Sequence, residues 1–420
     1  MSALENCCKG SCYEDRELSG KEDCMMGINN IRRGGYRSRD LTIDLIKGIG
    51  IILMVIRHAR APYSDFVLLF HMAIFFIASG YLYRKEQITD ISSLGKYIWR
   101  KIKGLYKPYW VFNVIFVLCN NLFLYINVYT DNAEILTAYG IESGTQVLGN
   151  VYSLPDTLFM LVKTCVFLGF TEMGGAFWFF QTLFIASVGY ALMDFVICFA
   201  NGRFLKFTIN RNIIQAAAAV SLLGTGYLWY CFDIPVSSIG RACTVYCLLY
   251  VGNMIKQFRV MEKIFCYKDK AEQLSVFRTA VIILMSFMIL LAAYPNGTIG
   301  LSANKIENPA FFLIASISGW MMLYGVALLL QRLSFVGNKA IAYISIHSVP
   351  IIALHFLCFK IINAVVVIVT EQKKYMTAAF PVLMHTDAWW IAYAAVGIGI
   401  PLLLDWMVRK IRSLAFSDLG

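Results

Sequence analysis

The chain has 420 residues, of which 59% are hydrophobic and 15% charged. A soluble domain is about half apolar and about a quarter charged, so this composition excludes an ordinary soluble protein. A formal net charge of +11 would suit a nucleic-acid binder, but 28 of the 37 Lys and Arg fall in the two ends of the chain and in alternate loops between apolar runs. That is the positive-inside bias of a polytopic membrane protein, so the charge reports topology and no nucleic acid is expected as a partner.

Residues 1–37 are polar and mixed in charge, with no apolar h-region, and are expected to form a flexible cytoplasmic tail without a cleavable signal. Cys7, Cys8, Cys12 and Cys24 lie in it without the paired spacing of a zinc site, as free thiols would. A membrane domain follows over 38–410, and 411–420 form a short cytoplasmic tail. Apolar runs at 41–57, 66–83, 105–127, 177–199, 211–231, 241–256, 276–294, 310–330, 344–369 and 389–408 predict an all-α transmembrane bundle of about ten spans with both termini cytoplasmic. One further run, 156–170, is short. If it crossed, the basic loops after it would face outward, so it is read as re-entrant or interfacial.

The first span contains Asp44, Lys47 and, at its outer end, His58. A charge within a span costs about 2.5–3.5 kcal/mol on insertion scales and tends to face a cavity or a partner. Lys47 and His58 are separated by roughly three helical turns plus 20°, with a rise of about 16 Å, so they share one face. Asp44 falls near that face, within reach of Lys47 for a structural pairing. The stripe either lines a cleft or anchors the helix at two interfaces. A short loop leads to the second span, FHMAIFFIASGYLYRK, which makes the two helices antiparallel neighbours and brings His71 to a depth similar to His58.

Further along, the basic segment 84–107 contains Arg100, Lys101 and Lys103. The longest outer loop, 128–155, contains Asp131, Glu134 and Glu142 and suits either a substrate mouth or plain solvation. Trp178 opens the fourth span, and His347, His355 and Lys360 lie in the ninth. The histidines are scattered, so no metal site is expected. Asp44, Lys47, His58, Asp194, Lys360 and Asp405 could instead form the proton path of a transporter or flippase, although no matched interrupted repeats are evident.

The first hairpin resembles the acyltransferase-3 family of integral-membrane acyltransferases, including sugar O-acetylases similar to fucose 4-O-acetylase. The resemblance is carried by Asp44, Lys47-Gly48 followed by ten residues and His58, then by Phe70, His71, Met72, Phe75, Phe76, Ser79, Gly80 and Tyr81. Ala73 stands where the family pattern has Pro. Weaker matches are the basic run to Pro108 and Tyr109, the Trp178-Phe179-Phe180 triplet, and His355, for which His347 is a rival.

The resemblance spans roughly 38–408. It implies transfer of an acyl group, commonly acetyl, from cytoplasmic acyl-CoA to a hydroxyl of a surface glycan or lipid-linked sugar, by a multi-pass protein of the cell membrane. Acyl-CoA is then a substrate, and no permanently bound cofactor is expected. On this reading His58 is the general base, and Lys47 lines the donor path, pairs with Asp44 or stabilises charge. His71 orients His58 or binds the acceptor. Arg100, Lys101 and Lys103 hold the CoA head or are plain topological charges. Trp178 stacks on a sugar or anchors the interface. His355 and Lys360 close the cavity from the far side or are packed, hydrogen-bonded groups.

Overall fold

The computed structural model describes residues 40–417, except 85–87, 89, 140–147, 170, 204–209, 266–271 and 334–335. The N-terminal tail with its four cysteines, and Glu142 of the outer loop, lie outside the described residues.

The described chain is an all-α bundle. Helix α1 (Leu41–His58) starts where the Asp40 carboxylate caps the amides of Thr42 and Ile43. The chain then reverses through residues with positive φ at Arg60 and Tyr63 and a 3₁₀ turn at Ser64–Leu69. It returns as α2 (Ala73–Tyr81). Helix α3 (Ile91–Lys101) exposes most of its residues, and a π-helical turn at Ile102–Tyr106 joins it to α4 (Lys107–Leu118). Helix α5 (Leu154–Cys165) is followed by α6 (Trp178–Arg203), α7 (Arg211–Cys231), α8 (Ser238–Gln257) and α9 (Glu272–Ala293). The last four are α10 (Pro309–Arg332), α11 (Asn338–Ile346), α12 (Ser348–Val369) and α13 (Trp389–Ser417). Helix α13 stays helical into the segment expected as a C-terminal tail.

Seven helical stretches among the described residues are long and apolar enough to cross a membrane: Ser64–Tyr81, α6, α7, Leu274–Asn296, α10, α12 and most of α13. The other three expected spans are helical as well, but less plainly apolar. Helix α1 contains Asp44, Lys47 and Arg57, and α4 breaks at Cys119 before a short helix Asn120–Tyr125. Helix α8 is enclosed by α2, α6 and α7, so little of it needs to satisfy lipid. Its crossing with α2 is set by two glycines. A Cβ on Gly80 would run into the carbonyl of Leu249, and one on Gly252 into the carbonyl of Ile77, so only bare backbone allows this approach.

The twelve residues of α5 rise about 18 Å, too little to cross a bilayer. A Ser153–Asp156 capping box starts the helix, and Leu158, Phe159 and Val162 remain exposed along it, as in an interfacial element. The ninth expected span, 344–369, starts inside a broken pair of helices. The break falls at His347, so α11 lies on α1 while α12 packs on α13. At the end of the bundle where His58 sits, a small hairpin closes through the Gly300–Lys305 bridge, and a loop at 374–384 is bonded to α12.

Candidate active site

The imidazole of His58, at the C-terminal end of α1, meets that of His355 in α12. Nδ1 of His58 lies 2.9 Å from Nε2 of His355, with the ring planes within 8° of parallel. The other nitrogen of His355 fixes the proton positions. Its Nδ1 lies 2.9 Å from the Ile351 carbonyl, which can only accept, so Nδ1 carries the proton and Nε2 the lone pair. His58 must then donate from Nδ1, which leaves Nε2 of His58 as the bare, basic nitrogen. Phe356 packs against both rings, at 4.7 Å from His58 and 4.1 Å from His355.

His58 lines a cavity of about 70 Å³ together with Met54, Leu68, His71, Trp178 and Ser302. His71 stands just before α2, and its Nδ1 donates to the Val67 carbonyl at 2.8 Å. Its Nε2 is therefore also a lone-pair acceptor. The histidine bonded to His58 is thus His355, whereas His71 is a second cavity-lining ring. His347, the rival, is elsewhere: it pairs with Asp405 at 2.9 Å and packs on Tyr343.

Trp178 is buried and forms part of the cavity wall. Behind it lies a residue whose importance the sequence did not reveal. Arg241 sits one turn inside α8, and its guanidinium carbon is 5.9 Å from the centre of the Trp178 ring. It is 6% exposed, so it is a buried cation and not a loop charge. It donates to Thr182 Oγ1 at 3.2 Å, to the Ser302 carbonyl at 3.0 Å, and to Gln181 Oε1 and Ser238 Oγ. All these acceptors are neutral. The one signal available in the sequence was an Arg at the first position of the apolar run 241–256.

Towards the other end of α1, Asp44 accepts from Ser345 Oγ of α11 at 3.4 Å. Lys101 points inward, with Nζ 3.3 Å from Ser79 Oγ. Burial, with the added charge of Arg100 and Lys47 nearby, pushes the Lys101 ammonium down to about 8. The fold therefore brings Lys47 and Lys101 into one electrostatic neighbourhood. Arg100 lies 5.9 Å over the Tyr97 ring, and Lys103 is turned onto the exposed Trp99 at 5.2 Å.

The remaining ionisable groups that a transporter's proton path would need fall into separate clusters. Asp194 is engaged by Arg211, by Gln215 at 2.5 Å and by Tyr83 at 2.6 Å. Asp405 is shared by His347 and Arg409. Lys360 donates to the carbonyls of Ala378 and Ala379, both at 2.7 Å, and so ties down the 374–384 loop instead of facing the cavity.

Two hydrogen-bonded histidines at the end of one span, a cavity beside them and cationic groups towards the span's other end make up the candidate site. A family model described as an acyltransferase domain matches residues 40–406. No curated protein and no solved structure matches the chain.

Proposed function

Because the chain belongs to the acyltransferase-3 family of membrane acyltransferases, we propose that it moves an acyl group, taken here as acetyl, from cytoplasmic acyl-CoA to a hydroxyl of an extracytoplasmic or lipid-linked glycan at the cell membrane. The observation that carries this reading is the His58–His355 bond, which leaves a lone pair on Nε2 of His58, itself a lining residue of the cavity.

In the proposed reaction the acceptor hydroxyl gives its proton to Nε2 of His58 as its oxygen attacks the thioester carbonyl. The C–O bond forms, the C–S bond breaks, and the proton passes from the imidazolium to the departing CoA thiolate. As His58 becomes positive, its Nδ1–H bond to His355 turns charge-assisted and strengthens, so His355 acts as the positioning residue. His71 offers an acceptor nitrogen for a second substrate hydroxyl, and Trp178 offers a ring face.

Lys47 and Lys101 supply positive charge for the polyanionic CoA head. The rise of about 16 Å between Lys47 and His58 is of the order an extended pantetheine arm covers, so CoA itself need not cross the membrane. Membranes containing the protein are incubated with radiolabelled acetyl-CoA, and label is followed into glycan. The expected result is incorporation that His58→Ala abolishes while protein level is unchanged. Undiminished incorporation in that variant would overturn the assignment.

A further inference from the structure

A second, larger cavity adjoins the His58 chamber on its outer side. Its volume is about 220 Å³, and it is lined by Asn296, Thr298, Glu307 and Asn308 with the apolar faces of Ile299 and Phe311. The four polar residues are exposed, so the cavity is open, while Ile299 is buried at its floor. Ile299 also lines the His58 cavity. The two chambers therefore share a wall at Ile299.

The partition between them is firmly held. It is the hairpin closed by the reciprocal backbone bonds of Gly300 and Lys305, at 3.1 and 2.9 Å. Asn304 at its tip accepts from Thr244 at 2.8 Å and donates to the Gly226 carbonyl at 3.1 Å. Arg241 grips the Ser302 carbonyl from below. At the outer edge Gly297 has φ of +124°, and a Cβ there would press on Glu307, so the rim needs glycine.

The polar groups of this chamber form a mixed set. Asn308 spends its carbonyl oxygen capping Ala310 and Phe311, which leaves its amide N–H groups to donate. Asn296 spends an N–H on the Ala292 carbonyl, which leaves its oxygen to accept. Thr298 can do both. Glu307 is paired with Lys305 at 3.1 Å, so the chamber carries no uncompensated charge. Neutral donors and acceptors around an aromatic and an aliphatic face match a sugar ring, with its hydroxyl edge and C–H face.

The geometry points to the outer chamber as a seat for the neutral sugar unit next to the one acylated, so that the acceptor is a glycan of at least two units. This rests on the glycan reading above and deepens it. With one unit held outside Ile299, its neighbour is directed towards the His58 chamber, and the Ile299 side chain must turn aside for its hydroxyl to reach His58.

The test uses the full-length protein in membranes with radiolabelled acetyl-CoA. The acceptors are a panel of neutral disaccharides and the methyl glycosides of their terminal units. The expected wild-type result is a kcat/KM at least about tenfold higher for the best disaccharide than for its matching methyl glycoside, the effect of one or two added hydrogen bonds. Thr298→Trp, which fills the chamber, and Asn296→Ala, which only trims an exposed side chain, should both drive that ratio towards one by raising the disaccharide KM. A wild-type ratio near one, or variants that lower both acceptors equally, would overturn the seat while leaving glycan acylation standing. Thioester consumption without label in any sugar would instead bring down the glycan reading, and the seat with it.

Discussion

Nε2 of His355 accepts the Nδ1 proton of His58, and it can do so because His355 commits its own proton to the Ile351 carbonyl one helical turn away. The tautomer of the proposed base is thus set by the backbone of a different helix. His355→Ala should lower kcat for acyl transfer by about 10²-fold, within the range for a disabled acid–base group. His355→Gln retains a carbonyl oxygen that can accept from Nδ1 and should recover part of the loss, with KM for both substrates little changed. Full activity in His355→Ala would remove it from the mechanism.

Lys101 carries a pH signature. Its ammonium is displaced downward to about 8, chiefly by burial. It is therefore a cation below that pH and neutral above it, and its attraction for a phosphate fades as pH rises through 8. The KM for acetyl-CoA should rise across that window in the wild type and much less in Lys101→Arg, whose charge persists. Lys103→Ala should leave KM nearly unaltered, since that side chain lies on Trp99. A wild-type KM flat between pH 7 and 9 would dissociate Lys101 from the donor.

Arg241→Met removes the donor to Thr182, Ser238 and the Ser302 carbonyl, while Gln181 Oε1 keeps the bond it accepts from Ser238 Oγ. Stranding buried polar groups costs about 1–3 kcal/mol. The melting temperature in detergent should fall accordingly, and acceptor KM should rise because the wall containing Ser302 and Trp178 loosens. Arg241→Lys should restore less than half of either quantity, since one ammonium cannot span four acceptors. An unchanged acceptor KM in Arg241→Met would separate the residue from the cavity wall.

The α2–α8 crossing gives a prediction about stability alone. Gly80→Val puts a branched side chain against the Leu249 carbonyl, where backbone must move. Overpacking of this kind costs typically about 1–3 kcal/mol. Gly95→Val, at a position with open space around it, is the control and should behave close to wild type apart from a small helix-propensity effect. Detergent melting curves of the two variants make the comparison, and equal melting temperatures would contradict the close crossing.

Much of this was written in the first hairpin. The helical spacing of Lys47 and His58, and the short loop to His71, are local features, and His58 and His71 both line one cavity. The partner of His58 was not decidable that way. His347 and His355 both lie in the same apolar run, and the break at His347 that turns one towards Asp405 depends on how α11 packs on α1. Arg241 did not stand out because it is the first residue of the apolar run 241–256, whereas the helix already starts at Ser238 and encloses it. Lys360 looked like a cavity group because a buried cation invites that reading. Its carbonyl partners come from a loop distant in sequence, a kind of contact no spacing rule reveals.

The pairing of two neutral rings has an electrical consequence. Among the described residues, the hydrogen-bond partners of the dyad are the two rings themselves and the Ile351 carbonyl, and none is a carboxylate. A base oriented by an imidazole rather than by an anion brings no fixed charge into the membrane at rest, and so avoids the Born penalty of burying one. It also has no resting charge for the transmembrane field to act on, whereas a full charge crossing the bilayer would couple by about 2.3 kcal/mol per 100 mV. Such a dyad waits at the same energy in an energised membrane as in a depolarised one, and its readiness to take a proton is left to the substrate that arrives.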